Sequence, residues 1–142
     1  MKINFAITVC NELEEIKRLV PFLLENKRIE DEIVILYDET NGNSEIIDFL
    51  TPLDIDLHKG SFEGNFADWK NKLNSYCTGD YIYQIDADEM ISEYMVKHLV
   101  DILEVNPDVD SIYVPRINTV DGLTQDDINK WGWRVSDKGW VN

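Results

Sequence analysis

The sequence predicts an α/β protein with an open, mainly parallel central sheet and helices on both faces. Two observations carry that expectation. Short apolar runs of strand length alternate with longer amphipathic stretches along most of the chain, the pattern of strands joined by crossover helices. The runs are rich in β-branched residues, and Asn, Gly, Ser and Asp punctuate the intervals between them. A chain of 142 residues is long enough for one domain with a sizeable core, and its 44% apolar and 29% charged content is ordinary for a globular protein.

The elements follow in order. "INFAITVC" (3–10) is a buried strand. "ELEEIKRLVPFLLEN" is a helix with Leu13, Ile16, Val20, Leu23 and Leu24 on one face, and Pro21 should kink or divide it. "EIVILYD" (32–38) is a second strand, "ETNGNS" a turn and "SEIIDFL" a short helix. "IDLH" (55–58) is a third strand, and "KGSFEGN" is a loop. Asn65 caps a helix that reaches Cys77, with Phe66, Trp69, Leu73 and Tyr76 at inward helical spacing. "DYIYQID" is a fourth strand. Ser92 starts a helix to about Glu104 with Met95, Leu99, Ile102 and Leu103 inward, and "SIYVP" (111–115) is a fifth strand. From Ile117 the pattern breaks down, and the expected division is a core over 1–118 with a further region over 119–142, the latter reading as an incomplete piece of a longer protein.

The charge narrows the partners. Thirteen basic against 28 acidic residues give a net charge of −15, which repels nucleic acid and anionic membranes. A phosphate ligand would need a cation to offset the same repulsion, and a divalent metal supplies one. Two cysteines, Cys10 and Cys77, without metal spacing, predict a reduced intracellular, cytoplasmic setting. The N-terminus lacks a signal-peptide apolar region, and no apolar run approaches the ~20 residues of a membrane span.

The stretch "YIYQIDADEM" drives a strand into Asp86, Asp88 and Glu89. The bare D-x-D pattern says little: with 16 Asp it should arise about twice by chance, and it occurs three times. Placement discriminates. Asp54/Asp56 and Asp108/Asp110 precede strands, whereas Asp86/Asp88 follow one, on the edge where open α/β sheets bind ligands. Two readings stand there: oxygen ligands for Mg²⁺ or Mn²⁺, which take one or two carboxylates plus substrate phosphate oxygens, or a solvated acidic turn before the next helix. The first strand exit carries Thr8, Asn11 and Glu12, and the second carries Asp38. Helix capping by Asn11 and Glu12 and a turn-forming role for Asp38 are the plainer alternatives.

Four segments in order, "ITVCNELEEI", "EIVILYDETNGNSEII", "NFADWKNKLNSYCTGDYIYQIDADE" and "IYVPRIN", resemble glycosyltransferase family 2 over about residues 3–118. The resemblance implies a GT-A, Rossmann-like fold and a nucleotide-diphosphate sugar donor, with a UDP-sugar first in line. It implies a carbohydrate or glycan acceptor and a Mn²⁺ or Mg²⁺ cofactor. It places Thr8, Asn11 and Glu12 at the nucleobase, with Cys10 where an aromatic usually stacks. Asp38 matches an acid that accepts a hydrogen bond from uracil, and Tyr37 replaces the acid before it. Lys70, with Asn71, matches an Arg-Asn pair near the base or diphosphate; alone it would read as a solvated helix lysine. Asp88 would hold the metal most directly, and Asp86 would reach the ribose or a metal-bound water.

The same resemblance implies transfer with inversion, which requires a carboxylate base at the acceptor hydroxyl. That catalytic residue is not identifiable: Asp121, Asp126, Asp127 and Asp137 are available, and each also reads as a solvated loop acid. Trp131, Trp133 and Trp140 suit a sugar platform or a core, the latter being the plainer reading, and His58 and His98 read as surface or packing residues. Two alternatives remain: a haloacid-dehalogenase-like phosphatase, whose "hhhhDxDxT" motif "YIYQIDADEM" imitates with Met90 out of pattern, and a non-catalytic nucleotide-sugar-binding module.

Overall fold

The computed structural model describes residues 1–118, 120 and 122–135, so that the expectations on Asp121, Asp137 and Trp140 lie outside the described residues. The chain divides into a compact unit over Met1–Asp108 and a second unit from Val109 onward.

The first unit holds strands β1 (Ile3–Val9), β2 (Glu32–Asp38), β3 (Asp56–Gly60) and β4 (Tyr81–Asp86), with helices α1 (Leu13–Asn26), α2 (Ser44–Leu50), α3 (Phe66–Tyr76) and α4 (Glu93–Glu104) between and after them. The four strands are parallel in the order β3-β2-β1-β4. Parallel neighbours need crossover helices, and these cover both faces. Alternation along each strand sorts the core. Ile3, Phe5, Ile7 and Val9 of β1 and Ile33, Ile35 and Tyr37 of β2 pack with Ile16, Leu23, Ile46, Leu99 and other residues of α1, α2 and α4. On the opposite face, Ala6, Val34 and Leu36 pack with Trp69 and Leu73 of α3. Each fully buried aliphatic or aromatic side chain contributes about 1.5–3 kcal/mol.

The helices start where the sequence places caps. The Asn65 side-chain oxygen accepts from the N–H of Ala67 at 3.0 Å and of Asp68 at 3.3 Å, and Ser92 Oγ accepts from the N–H of Met95 at 3.2 Å. α1 is a single helix that Pro21 does not divide. Burial of Ile16, Leu19, Val20 and Leu23 against the sheet offsets the ~3 kcal/mol that an interior proline costs.

At the strand entrances a buried charge fastens the N-terminus. The Asp31 side chain is 1% exposed and pairs with Arg28 at 2.7 Å. It also accepts from the N–H of Ile3 at 2.9 Å, while Arg28 reaches the Met1 carbonyl at 2.6 Å. Burial alone would raise the Asp31 carboxyl, but the Arg28 and Ile3 hydrogen bonds hold it below the usual carboxylate range.

Two expectations are corrected. The fifth strand over 111–115 is absent: residues 111–118 take no regular structure, and β4 pairs only with β1 among the described residues. A strand exists only through its ladder, so β-branched content cannot make one where no partner is engaged. Phe66 is not an inward residue of α3; it is 72% exposed, whereas Trp69 and Leu73 are buried. A helix following a parallel strand starts at the C-terminal edge of the sheet, and side chains tilt toward the helix N-terminus. The first-turn side chain therefore overshoots the sheet.

The second unit contains α5 (Gln125–Trp131), opened by a reciprocal capping box between Thr124 and Asp127 and closed by Gly132 at φ +67. Trp131 and Trp133 pack together with ring centroids 4.9 Å apart.

Candidate functional site

Strand order decides where the site lies. The chain moves from β1 outward to β2 and β3, then returns to place β4 on the other side of β1. That reversal is the topological switch point at which open α/β sheets leave a crevice beyond the strand ends. In register there, Thr8 of β1 stands beside Asp86 of β4. An open cleft of about 280 Å³ occupies the place, lined by Thr8, Glu12, Phe66, Lys70, Asp86, Ala87 and Asp88. Five of the eight residues expected at a donor or metal site thus meet in one cleft.

Lys70 reaches into it from the second turn of α3. Its ammonium lies 2.6 Å from Asp86 Oδ1, with the side chains 24% and 52% exposed respectively. The expectation of a solvated helix lysine gives way to a lysine held by the carboxylate at the strand exit. A turn follows Asp86, where the Glu89 N–H donates to the Asp86 carbonyl at 3.0 Å and the Glu89 carboxylate accepts from the Asp86 N–H at 3.1 Å. The acidic turn anticipated as one of the two readings therefore exists, and it holds Asp86 and Asp88 at the cleft wall. Glu12, Asp86 and Asp88 against Lys70 leave the lining net negative.

The remaining residues organise the rim. Glu12 occupies the N-cap position of α1 without a capping hydrogen bond. Its carboxylate turns back and accepts from the N–H of Cys10 at 2.8 Å and of Asn11 at 3.0 Å, tying down the β1 exit. Asp38 is 3% exposed. Its Oδ1 accepts from the N–H of Thr40 at 3.1 Å, Asn41 at 3.3 Å and Phe62 at 3.4 Å, while Oδ2 accepts from the Asn41 side-chain amide at 3.0 Å. Burial alone would raise this carboxyl; the hydrogen bonds from Asn41, Phe62 and Thr40 bring it below the usual range. The Asx turn anticipated from sequence is present, and the same carboxylate ties the β2 exit to the loop after β3. Gly42 belongs to this turn by necessity, since a Cβ there would fall 2.2 Å from the Asp38 carbonyl oxygen. Cys10 Sγ lies 3.8 Å from Asp38 Oδ2; burial, then Asp38 and Glu12, push its thiol up, which makes it a poor nucleophile. Tyr37, one residue before Asp38, turns by strand alternation into the opposite core.

Among the described residues no group of three or more His, Cys, Asp or Glu side chains converges as a metal centre. Asp86 and Asp88 are two hard oxygen donors on one cleft, a set that suits Mg²⁺ or Mn²⁺ when substrate phosphates and water complete the shell. Of the candidate bases among the described residues, Asp127 is committed to the α5 cap, where hydrogen bonds from Thr124 hold its carboxyl below the usual range. His58 stacks on Tyr76 at 3.7 Å between ring centroids, and His98 lies 3.0 Å from Asp101. Phe66 is the lining residue that sequence reasoning assigned elsewhere; its place in the first turn of α3 was the available signal.

Comparison with known proteins bears on this geometry. The family described as "Glycosyl transferase family 2" matches residues 5–138. The chain belongs to this family. Among solved structures it is similar to S. aureus TarS 1–349, with a TM-score of 0.64 and 17% identity, covering 82% of this chain and 39% of that one. TarS 1–349 in complex with UDP gives a TM-score of 0.60 at 18% identity, covering 82% and 39%. The complex with UDP-GlcNAc gives 0.62 at 17%, covering 82% and 38%. The chain thus spans about two fifths of these relatives. No curated protein matches it significantly. The GT-A, Rossmann-like α/β fold expected from sequence is the fold the chain has. No described helix is long and apolar enough to cross a membrane.

Proposed function

We propose that this chain is the donor-binding portion of a glycosyltransferase that takes a sugar from a nucleotide-diphosphate donor, a UDP-sugar first in line, and passes it to a carbohydrate hydroxyl with inversion. The observation that carries the reading is the meeting of Thr8, Lys70, Asp86 and Asp88 in one cleft at the switch point of the sheet. Family membership supports it and sets aside the phosphatase alternative. The complexes of the structural relatives with UDP and UDP-GlcNAc support the choice of nucleotide.

Asp86 and Asp88 would hold Mn²⁺ or Mg²⁺, which when bound supplies positive charge to the diphosphate leaving group. Lys70 adds a second positive charge from the chain itself. In the structure it neutralises Asp86; with donor present it donates to a diphosphate oxygen and steadies the charge that grows as the anomeric C–O bond breaks. Glu12 fixes the β1 exit through the Cys10 and Asn11 N–H groups, so that this edge is shaped before the nucleotide arrives. Asp38 does the same for the β2 exit, and a base contact by its carboxylate would exchange one of the hydrogen bonds that now hold the loop.

Thermal unfolding with UDP, GDP and CDP, each with and without Mn²⁺, tests the proposal. A shift with UDP that needs Mn²⁺ is expected, and absence of any nucleotide-dependent shift overturns it. A metal-dependent shift without transfer would identify the chain as a binding module.

A further inference from the structure

We propose that Phe66 is the aromatic face on which the nucleobase of the bound donor stacks. The proposal rests on the donor-site reading above and adds to it the direction in which the nucleotide lies.

Phe66 opens α3, lines the same cleft as Lys70, Asp86 and Asp88, and is 72% exposed. The ring does not anchor α3, which Trp69 and Leu73 fasten to the sheet, so its place among the four charged groups of the cleft is open to a ligand. The ring is nevertheless held in place. Phe62 packs on it at 4.7 Å between centroids, and Phe62 in turn meets buried Trp69 edge-on at 6.0 Å. Such backing positions an aromatic platform before a ligand arrives, which limits the ordering cost of binding.

The orientation follows from two neighbours. Phe66 precedes Lys70 by four residues, so the two share one face of α3 a helical turn apart. Lys70 points to Asp86 at the β4 exit, whereas the Phe62 N–H donates to Asp38 at the β2 exit. The aromatic pair therefore lies on the β2 side of the cleft and the charged pair on the β4 side. A nucleotide whose diphosphate sits at Lys70, Asp86 and Asp88 extends its base toward Phe66. Cys10, which faces the same rim, has no π face to offer. Stacking adds affinity without choosing the base, since every base has a π face.

The test is calorimetric titration of UDP and of inorganic pyrophosphate, both in Mn²⁺, into the wild-type chain, Phe66→Leu and Phe66→Trp, with thermal unfolding of each variant alongside. Leucine keeps apolar contact with Phe62 but cannot stack. The expected result is UDP affinity lowered roughly ten- to a hundredfold by Phe66→Leu, retained by Phe66→Trp, and pyrophosphate affinity within about twofold throughout. Equal UDP affinity in Phe66→Leu and wild type overturns the stacking role and leaves the donor site standing. An equal loss of UDP and pyrophosphate also overturns it, because the ring would then shape the cleft rather than meet the base. Failure of the wild type to bind either ligand removes the donor site itself.

Discussion

Replacing Lys70 by methionine separates ligand recognition from fold stability. The Lys70 ammonium lies 2.6 Å from Asp86 Oδ1, but the two side chains are 24% and 52% exposed. An ion pair so open to water contributes about 0–1 kcal/mol. For a compact unit of this size, Lys70→Met should therefore lower Tm by no more than about 4 °C. The effect on the donor should be larger. The cleft opposes Glu12, Asp86 and Asp88 with Lys70 as its lining cation, so without Lys70 the chain itself offers a diphosphate no positive charge there. Loss of a charged hydrogen bond costs about 1.5–3 kcal/mol, or roughly ten- to 150-fold in Kd. Freeing Asp86 should at the same time tighten Mn²⁺ alone, since the carboxylate no longer holds an ammonium. The assay is titration of UDP at saturating Mn²⁺, with Mn²⁺ binding followed separately by electron paramagnetic resonance. Unchanged UDP affinity together with a fall in Tm of more than about 8 °C would refute the reasoning and make Lys70 a structural partner of Asp86.

Asp88→Asn removes a carboxylate from an exposed position, so stability should move by less than about 0.5 kcal/mol while the Mn²⁺-dependent part of UDP binding falls at least roughly tenfold; thermal shift with and without the metal reads both. Asp31→Asn strips the charge that Arg28 and the Ile3 N–H satisfy and should cost about 3 kcal/mol at neutral pH by urea unfolding. Because the folded Asp31 carboxyl is held below its unfolded value, its contribution is complete above that unfolded value, near pH 3.9, and is lost as pH falls through the folded one. The variant should therefore show a flatter acid limb than wild type. Gly42→Ala forces a Cβ to within 2.2 Å of the Asp38 carbonyl oxygen, and destabilisation of about 1–3 kcal/mol is expected in the same unfolding assay.

Much of the architecture was legible from residue order. Strand alternation in "INFAITVC" and "EIVILYD" places Phe5, Ile7, Ile33 and Ile35 in the core, and the caps Asn65 and Ser92 start α3 and α4 where their side chains suggest. Trp69 and Leu73 fall inward as their spacing demands, but Phe66 at the same spacing does not, because the sheet ends before the first turn of the helix does. Pro21 lies within a continuous α1, since burial outweighs a local propensity. The run over 111–115 has strand composition and forms no ladder among the described residues.

The candidate site divides in the same way. By itself the sequence determined which groups stand at strand exits: Thr8, Glu12, Asp38, Asp86 and Asp88 are all placed by periodicity, which is a local property of the chain. Only the tertiary structure decided which exits meet. The order β3-β2-β1-β4 sets Thr8 beside Asp86 and brings Lys70 across from α3, while Asp38 is drawn into the loop around Asn41 and Phe62. The physical reason is that strand order depends on how crossover helices bury their faces across the whole sheet, and no local window of residues contains that information.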